Sequence, residues 1–137
     1  MVKEIFPSTL DNLVRIAEFV TRAARQAGFN EDQIYEVELA VDEACTNIIE
    51  HGYSNQPGGV ITCICQELPT GLQIVIEDHG TPFDPSSIPA PDLSLPLESV
   101  QAGGAGVYLM YQMMDDVRYE SIGGSRNKLT LLKRRKS

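Results

Sequence analysis

The sequence has 137 residues, 42% hydrophobic and 7% aromatic, with 11 basic and 19 acidic side chains and a formal net charge of −8. That length fits one domain, residues 1–137, able to bury roughly two-thirds of its unfolded surface and leaving little room for a separate catalytic domain. The acidity argues against general nucleic-acid or anionic-membrane binding but leaves a phosphate ligand open, because backbone amides and a metal can supply a local positive field. In chain order, Val2–Phe6 reads as an edge strand ending at Pro7. Ser8 with Asp11 resembles a capping box, opening a helix over Thr9–Ala27 that stops before Gly28. Asn30 with Gln33 forms a second box, and the stripe Ile34, Val37, Val41, Cys45, Ile48 predicts a helix from Glu31 to about His51.

Val60–Leu68 and Leu72–Glu77 read as strands joined by Pro69-Thr70-Gly71, which favours an antiparallel hairpin over a βαβ crossover. Residues Pro82–Gln101 hold five prolines and neither Lys nor Arg, the composition of a long surface loop or lid. Gly103-Gly104-Ala105-Gly106 leads into a helix through about Met114, and Val117–Ser121 and Lys128–Lys133 complete the strands. These elements predict one mixed or antiparallel sheet covered on one face by helices. Up to Asp116 the chain carries 4 basic and 18 acidic residues, and after it 7 and 1. The tail Lys133-Arg134-Arg135-Lys136 reads as a solvated strand end, or as a surface for an acidic partner. Cys45, Cys63 and Cys65 have no disulfide or zinc spacing, so a reducing cytoplasm is expected; neither a secretory leader nor a membrane span is expected.

Three polar constellations carry chemistry. Glu43 and Asn47 are four apart, so a helix sets them on one face a turn apart. An amide oxygen suits Mg²⁺ and a carboxylate can take a proton, although ordinary exposed-helix residues are the plain alternative. His51 continues the progression and reads as a helix-terminal or hydrogen-bonding residue. Asp78-His79-Gly80 would deliver a carboxylate at a sheet edge, with glycine leaving room for an adenine whose exocyclic amine the acid accepts; a simple turn competes. Phe83 reads as an anchor of the loop in the core. The glycines at 103–106 can let amides converge on phosphate at a helix start, without a P-loop or Rossmann spacing.

In this order the elements resemble the small serine-kinase anti-sigma factors of the histidine-kinase-like ATPase superfamily. Glu43–Asn47 resembles the N box, Asp78–Gly80 the adenine-binding D-x-G box and Gly104-Ala105-Gly106 the lid box; Pro82–Pro85, Met114–Val117 and Asn127–Thr130 extend the likeness. The resemblance implies an α/β two-layer sandwich, a Bergerat-type ATP-binding fold with a mixed, mostly antiparallel sheet covered by helices on one face, and a flexible ATP lid at about 82–103. It implies ATP and Mg²⁺ as cofactors, with Asn47 as metal ligand and Glu43 as general base toward a serine. Asp78, Gly80 and Thr81 would recognise adenine, and Gly103, Gly104, Ala105 and Gly106 would close over phosphate. It further implies a homodimer, and a sigma factor and an anti-anti-sigma protein as partners. Family lids commonly carry a basic residue near the glycines and a larger aliphatic between them; here Ala105 and the base-free loop keep open a nucleotide-regulated anti-sigma binding protein with negligible kinase activity. Arg15, Arg22 and Arg25 on the first helix read as solvated, or as contacts for an acidic sigma-factor surface.

Overall fold

The computed structural model describes residues 1–87 and 104–135, in which five strands and three helices follow the order β1 (Val2–Pro7), α1 (Leu13–Gln26), α2 (Glu31–Asn47), β2 (Val60–Leu68), β3 (Gly71–Asp78), α3 (Gly104–Met113), β4 (Asp116–Ile122) and β5 (Arg126–Arg134). The sheet order is β1-β2-β3-β5-β4 and every pair is antiparallel, so the expected mixed character resolves to a wholly antiparallel sheet among the described residues. Alternation sends Ile61, Cys63, Cys65, Leu72, Ile74, Ile76, Leu129 and Leu131 to one face. There they pack with Ile16 and Val20 of α1 and with Val37 and Val41 of α2, forming the two-layer core.

Local chemistry sets the helix ends. α1 closes in a Schellman turn: Gly28 N–H donates to Arg25 O, Phe29 N–H donates to Ala24 O, and Gly28 takes φ +87°, a conformation that favours glycine. The Asn30–Gln33 box forms in both directions and starts α2 at Glu31. The Ser8–Asp11 box does not form. A 3₁₀ turn at Leu10–Asn12 intervenes and α1 begins only at Leu13, while the Ser8 hydroxyl is buried with no hydrogen-bond partner. α2 also ends before His51, passing into a π-helical turn at Ile48–Gly52 in which Tyr53 N–H donates to Ile48 O.

The basic tail is not simply solvated. Lys133 falls on the inward face of β5, is 6% exposed, donates to Met113 O at the end of α3 and lies 3.4 Å from Glu36 of α2. Arg135 donates to Ala27 O, Leu68 O, Pro69 O and Glu67. Alternation along β5 puts the first under the helices, and satisfying loop carbonyls holds the second. The three cysteines are free and buried, and burial with the neighbouring Cys63 pushes the Cys65 thiol up to about 12, so they behave as small apolar groups.

Candidate functional site

Burial of Val37, Ala40, Val41, Ala44 and Cys45 against the sheet fixes the rotation of α2, which sets Glu43 and Asn47 along the helix edge facing α3. Asn47 is 6% exposed and its Nδ2 donates to Glu43 Oε1 at 3.2 Å. With the amide nitrogen committed to the acid, the amide oxygen is left as an acceptor. Burial raises the Glu43 pKa above its ordinary 4.5; the Asn47 hydrogen bond opposes this, and the charges of Asp42 and Glu50 reinforce it.

That shift has a consequence for stability. A carboxyl whose folded pKa is raised destabilises the fold where it is charged, and the penalty fades as pH falls through the folded value. Glu43→Gln, which keeps an acceptor for Asn47, is therefore expected to be more stable than the parent near pH 7, with the advantage vanishing below about 4.5. Urea midpoints of the two proteins across that range measure it; a constant gap at all pH values would contradict the assigned environment.

β3 carries Asp78 to its last residue, 5% exposed. Its Oδ1 accepts from Gly80 N–H at 2.9 Å and from Asn127 Nδ2 at 2.9 Å. Among the described residues no hydrogen bond reaches Oδ2. Gly80 is pressed against Gly52, where an added Cβ would lie 2.5 Å from the Gly52 carbonyl oxygen, and Thr81 N–H donates to that same oxygen at 2.7 Å. The π-helical turn thus brings the end of the α2 segment onto the loop after β3. Between them lies a pocket lined by Asn47, Asp78, Thr81, Phe83, Met110 and Tyr119 among others.

The glycine box reaches the same neighbourhood from α3. Gly104 and Ala105 form the first turn of that helix, and Gly106 sits so close to Glu43 that a Cβ there would lie 2.2 Å from the carboxylate carbon. Gly103 and most of the expected lid, residues 88–103, lie outside the described residues, whereas Pro85–Ser87 form a 3₁₀ turn. Of the sequence candidates, Glu43, Asn47, Asp78, Gly80, Thr81 and Gly106 are brought to one side of the molecule.

Phe83 does not enter the core as expected: it is half-buried, lines the pocket and stacks on the exposed His51, with ring centroids 4.7 Å apart and 9° between planes. Arg126 pairs with Glu77 at 3.0 Å. Sequence reasoning missed Gly52, Tyr119 and, above all, Asn127, whose register partner is Asp78. The signal was the alternation Asn127, Leu129, Leu131, Lys133, which places a polar residue on the buried face of a central strand. No group of three or more His, Cys, Asp or Glu among the described residues could hold a metal. Asn47 instead offers a single oxygen, which fits an ion that arrives with phosphate oxygens as its other ligands.

A sequence model of the histidine kinase-like ATPase domain matches residues 6–133. The serine-protein kinase RsbW of Bacillus cereus (strain G9842) is 32% identical over 116 residues, which cover 82% of this chain and 72% of that protein. The serine-protein kinase RsbW of Bacillus anthracis (strain A0248) is 31% identical over the same shares. A solved histidine kinase domain, from the blue-light activated histidine kinase of Erythrobacter litoralis EL346, matches with a TM-score of 0.53 at 18% identity. That match covers 92% of this chain and 60% of the solved chain, a likeness of fold alone.

Proposed function

The chain belongs to the anti-sigma serine-kinase family within the histidine kinase-like ATPase superfamily, and from that premise we propose that it transfers the γ-phosphate of ATP to a serine of an anti-anti-sigma protein and binds a sigma factor. The observation that carries the reading is the convergence of Asn47 and Asp78 on one pocket, with Glu43 hydrogen-bonded to Asn47 at its edge. In this reading Asp78 accepts the exocyclic amine of adenine on Oδ2, and Gly80 and Thr81 leave the ring room to approach. Asn47 would hold Mg²⁺ through its amide oxygen, and the ion would supply neutralisation of phosphate charge. The amides that begin α3 at Gly104, Ala105 and Gly106 would face phosphate at a helix N-terminus, and Gly103, outside the described residues, is proposed to join them.

Glu43 takes the proton of the serine hydroxyl as that oxygen bonds to the γ-phosphorus and the bond to the bridging oxygen breaks, releasing ADP. A serine hydroxyl is a weak nucleophile, and a partly desolvated carboxylate with a raised pKa is a better base than an exposed one. Most of the rate then comes from alignment and charge stabilisation. The partner completes the reaction by supplying the serine, so turnover on water alone should be low.

The test is transfer of radiolabelled γ-phosphate to candidate serine-bearing partners captured by the purified protein. Phosphorylation of a captured partner supports the kinase; Mg²⁺-dependent ATP binding without transfer supports the competing nucleotide-regulated binding protein, which Ala105 and the base-free stretch 82–101 favour. Two substitutions dissect the pocket. Asn47→Ala is expected to weaken Mg²⁺-dependent nucleotide affinity about tenfold and to leave metal-free affinity nearly unchanged; calorimetry with and without Mg²⁺ reads both, and equal losses would reject the metal role. Asp78→Asn is expected to lower ATP affinity by about 10- to 100-fold with GTP affinity little altered, and an unchanged ATP to GTP ratio would reject the adenine role. The proposal includes a homodimer acting in the cytoplasm; no helix among the described residues is long and apolar enough to cross a membrane.

A further inference from the structure

We propose that Asn127 is the positioning residue that orients the Asp78 carboxylate and thereby sets selectivity for adenine, an inference that rests on the nucleotide reading of the Asp78 pocket. Asn127 is 1% exposed, and its side-chain amide is fully used. Nδ2 donates to Asp78 Oδ1 at 2.9 Å and to Gly80 O at 2.8 Å, while Oδ1 accepts from Tyr119 OH at 3.2 Å and from Ser121 Oγ at 2.9 Å. The amide can point only one way. Reversed, its oxygen would face Asp78 Oδ1 and Gly80 O, two acceptor oxygens with no proton between them.

The two hydroxyls are themselves directed. Tyr119 OH accepts from Phe83 N–H at 3.1 Å, so its one proton is free for Asn127 Oδ1. The chain of bonds therefore runs from the root of the loop after β3, through Tyr119 and Asn127, to Asp78. Gly80 N–H is the other donor to Asp78 Oδ1, and it belongs to the same loop. Because both donors land on Oδ1, the carboxylate cannot swing that oxygen toward the pocket without breaking two hydrogen bonds, one of them buried. Oδ2 is held out as the single acceptor for a ligand amine. An exocyclic amine offers the proton that this oxygen needs; a guanine carbonyl in the same place offers none, which leaves the acceptor unpaired and the base rejected.

The experiment measures ATP and GTP affinities for the parent, Asn127→Leu, Asp78→Asn and the double variant, each confirmed to unfold cooperatively. Asn127→Leu is expected to lower the ATP to GTP affinity ratio by roughly 10- to 100-fold, and to change it by less than about twofold when Asp78 is already Asn, because the two residues act as one unit. A merely structural role would instead leave the ratio at the parent value, or add its effect in full to that of Asp78→Asn; either result overturns the inference. If Asn127→Leu does not fold, the pair Tyr119→Phe with Ser121→Ala, which removes the two protons holding the amide oxygen together with the acceptor of Phe83 N–H, takes its place. It is expected to lower the ratio at least about threefold, and an unchanged ratio overturns the proposal. The two levels separate cleanly: a parent without ATP preference, or an Asp78→Asn variant that keeps it, sinks the adenine reading itself, whereas preference lost in Asp78→Asn but kept in the Asn127 variants sinks only the role of Asn127.

Discussion

Glu43→Ala should lower phosphate transfer to the partner serine by about 10²- to 10⁴-fold while Mg²⁺-ATP affinity stays within about threefold of the parent. The factor corresponds to about 3 to 5 kcal/mol of lost transition-state stabilisation, the usual worth of a positioned general base. Among the described residues no other acid is hydrogen-bonded to Asn47. Asp42 is one residue away on the helix but makes no hydrogen bond to Asn47, and His51 lies a π-helical turn beyond, stacked on Phe83. Selective loss is the expected signature because Glu43 touches the pocket only at its edge, through Asn47, whereas Asp78 lines it directly. Single-turnover transfer with prebound ATP separates chemistry from binding. Transfer undiminished in Glu43→Ala would remove the base assignment and leave the binding-protein reading in front. The raised pKa adds a second mark: in the parent, transfer should fall with decreasing pH through a value above 4.5, since only the ionised acid can take the proton.

The elements legible in the sequence were those fixed by local chemistry. The capping box at Asn30, the glycine at position 28 and the alternation of Ile61, Cys63 and Cys65 each specify their own backbone, and the hairpin after Leu68 fixed the antiparallel pairing. Glu43 and Asn47 were found because helical spacing alone makes them neighbours. What escaped was set by contacts far apart in sequence. Gly52 matters because Gly80 packs on it, Asn127 because β5 pairs with β3 in the register that sets it opposite Asp78, and Lys133 because a β5 residue reaches Glu36 and the end of α3. Ser8 failed as a cap for a related reason: β1 runs on to Pro7, Ser8 N–H donates to Gly59 O beside β2, and its hydroxyl is buried against Gly59 without a partner. Period and capping rules see neighbours within a turn; they are blind to pairings that only the closed sheet creates.

Gly106→Ala should lower transfer by about 10²-fold without unfolding the protein. Among the described residues four glycines, Gly59, Gly71, Gly80 and Gly106, are too close to their neighbours for a side chain, and the identity of the obstructing atom decides what each substitution does. At Gly71 an added Cβ would lie 1.9 Å from the Lys133 carbonyl oxygen, and at Gly80 it would lie 2.5 Å from that of Gly52. Both obstacles are backbone, so those substitutions are expected to cost stability. At Gly106 the obstacle is the Glu43 carboxylate, with both oxygens at 2.3 Å, and a side-chain end can move aside. Gly106 is not among the glycines with positive φ, so alanine fits its helical backbone and even favours it by about 1 kcal/mol. The displaced group is the proposed base, and a shift of about 1 Å is enough to cost the factor stated. The decisive measurement is the double variant. If the methyl acts only by displacing Glu43, Gly106→Ala costs nothing further once Glu43 is alanine, because the room it needs is already free. Additive losses would instead mean that Gly106 serves phosphate through its own backbone amide, independently of the acid beside it.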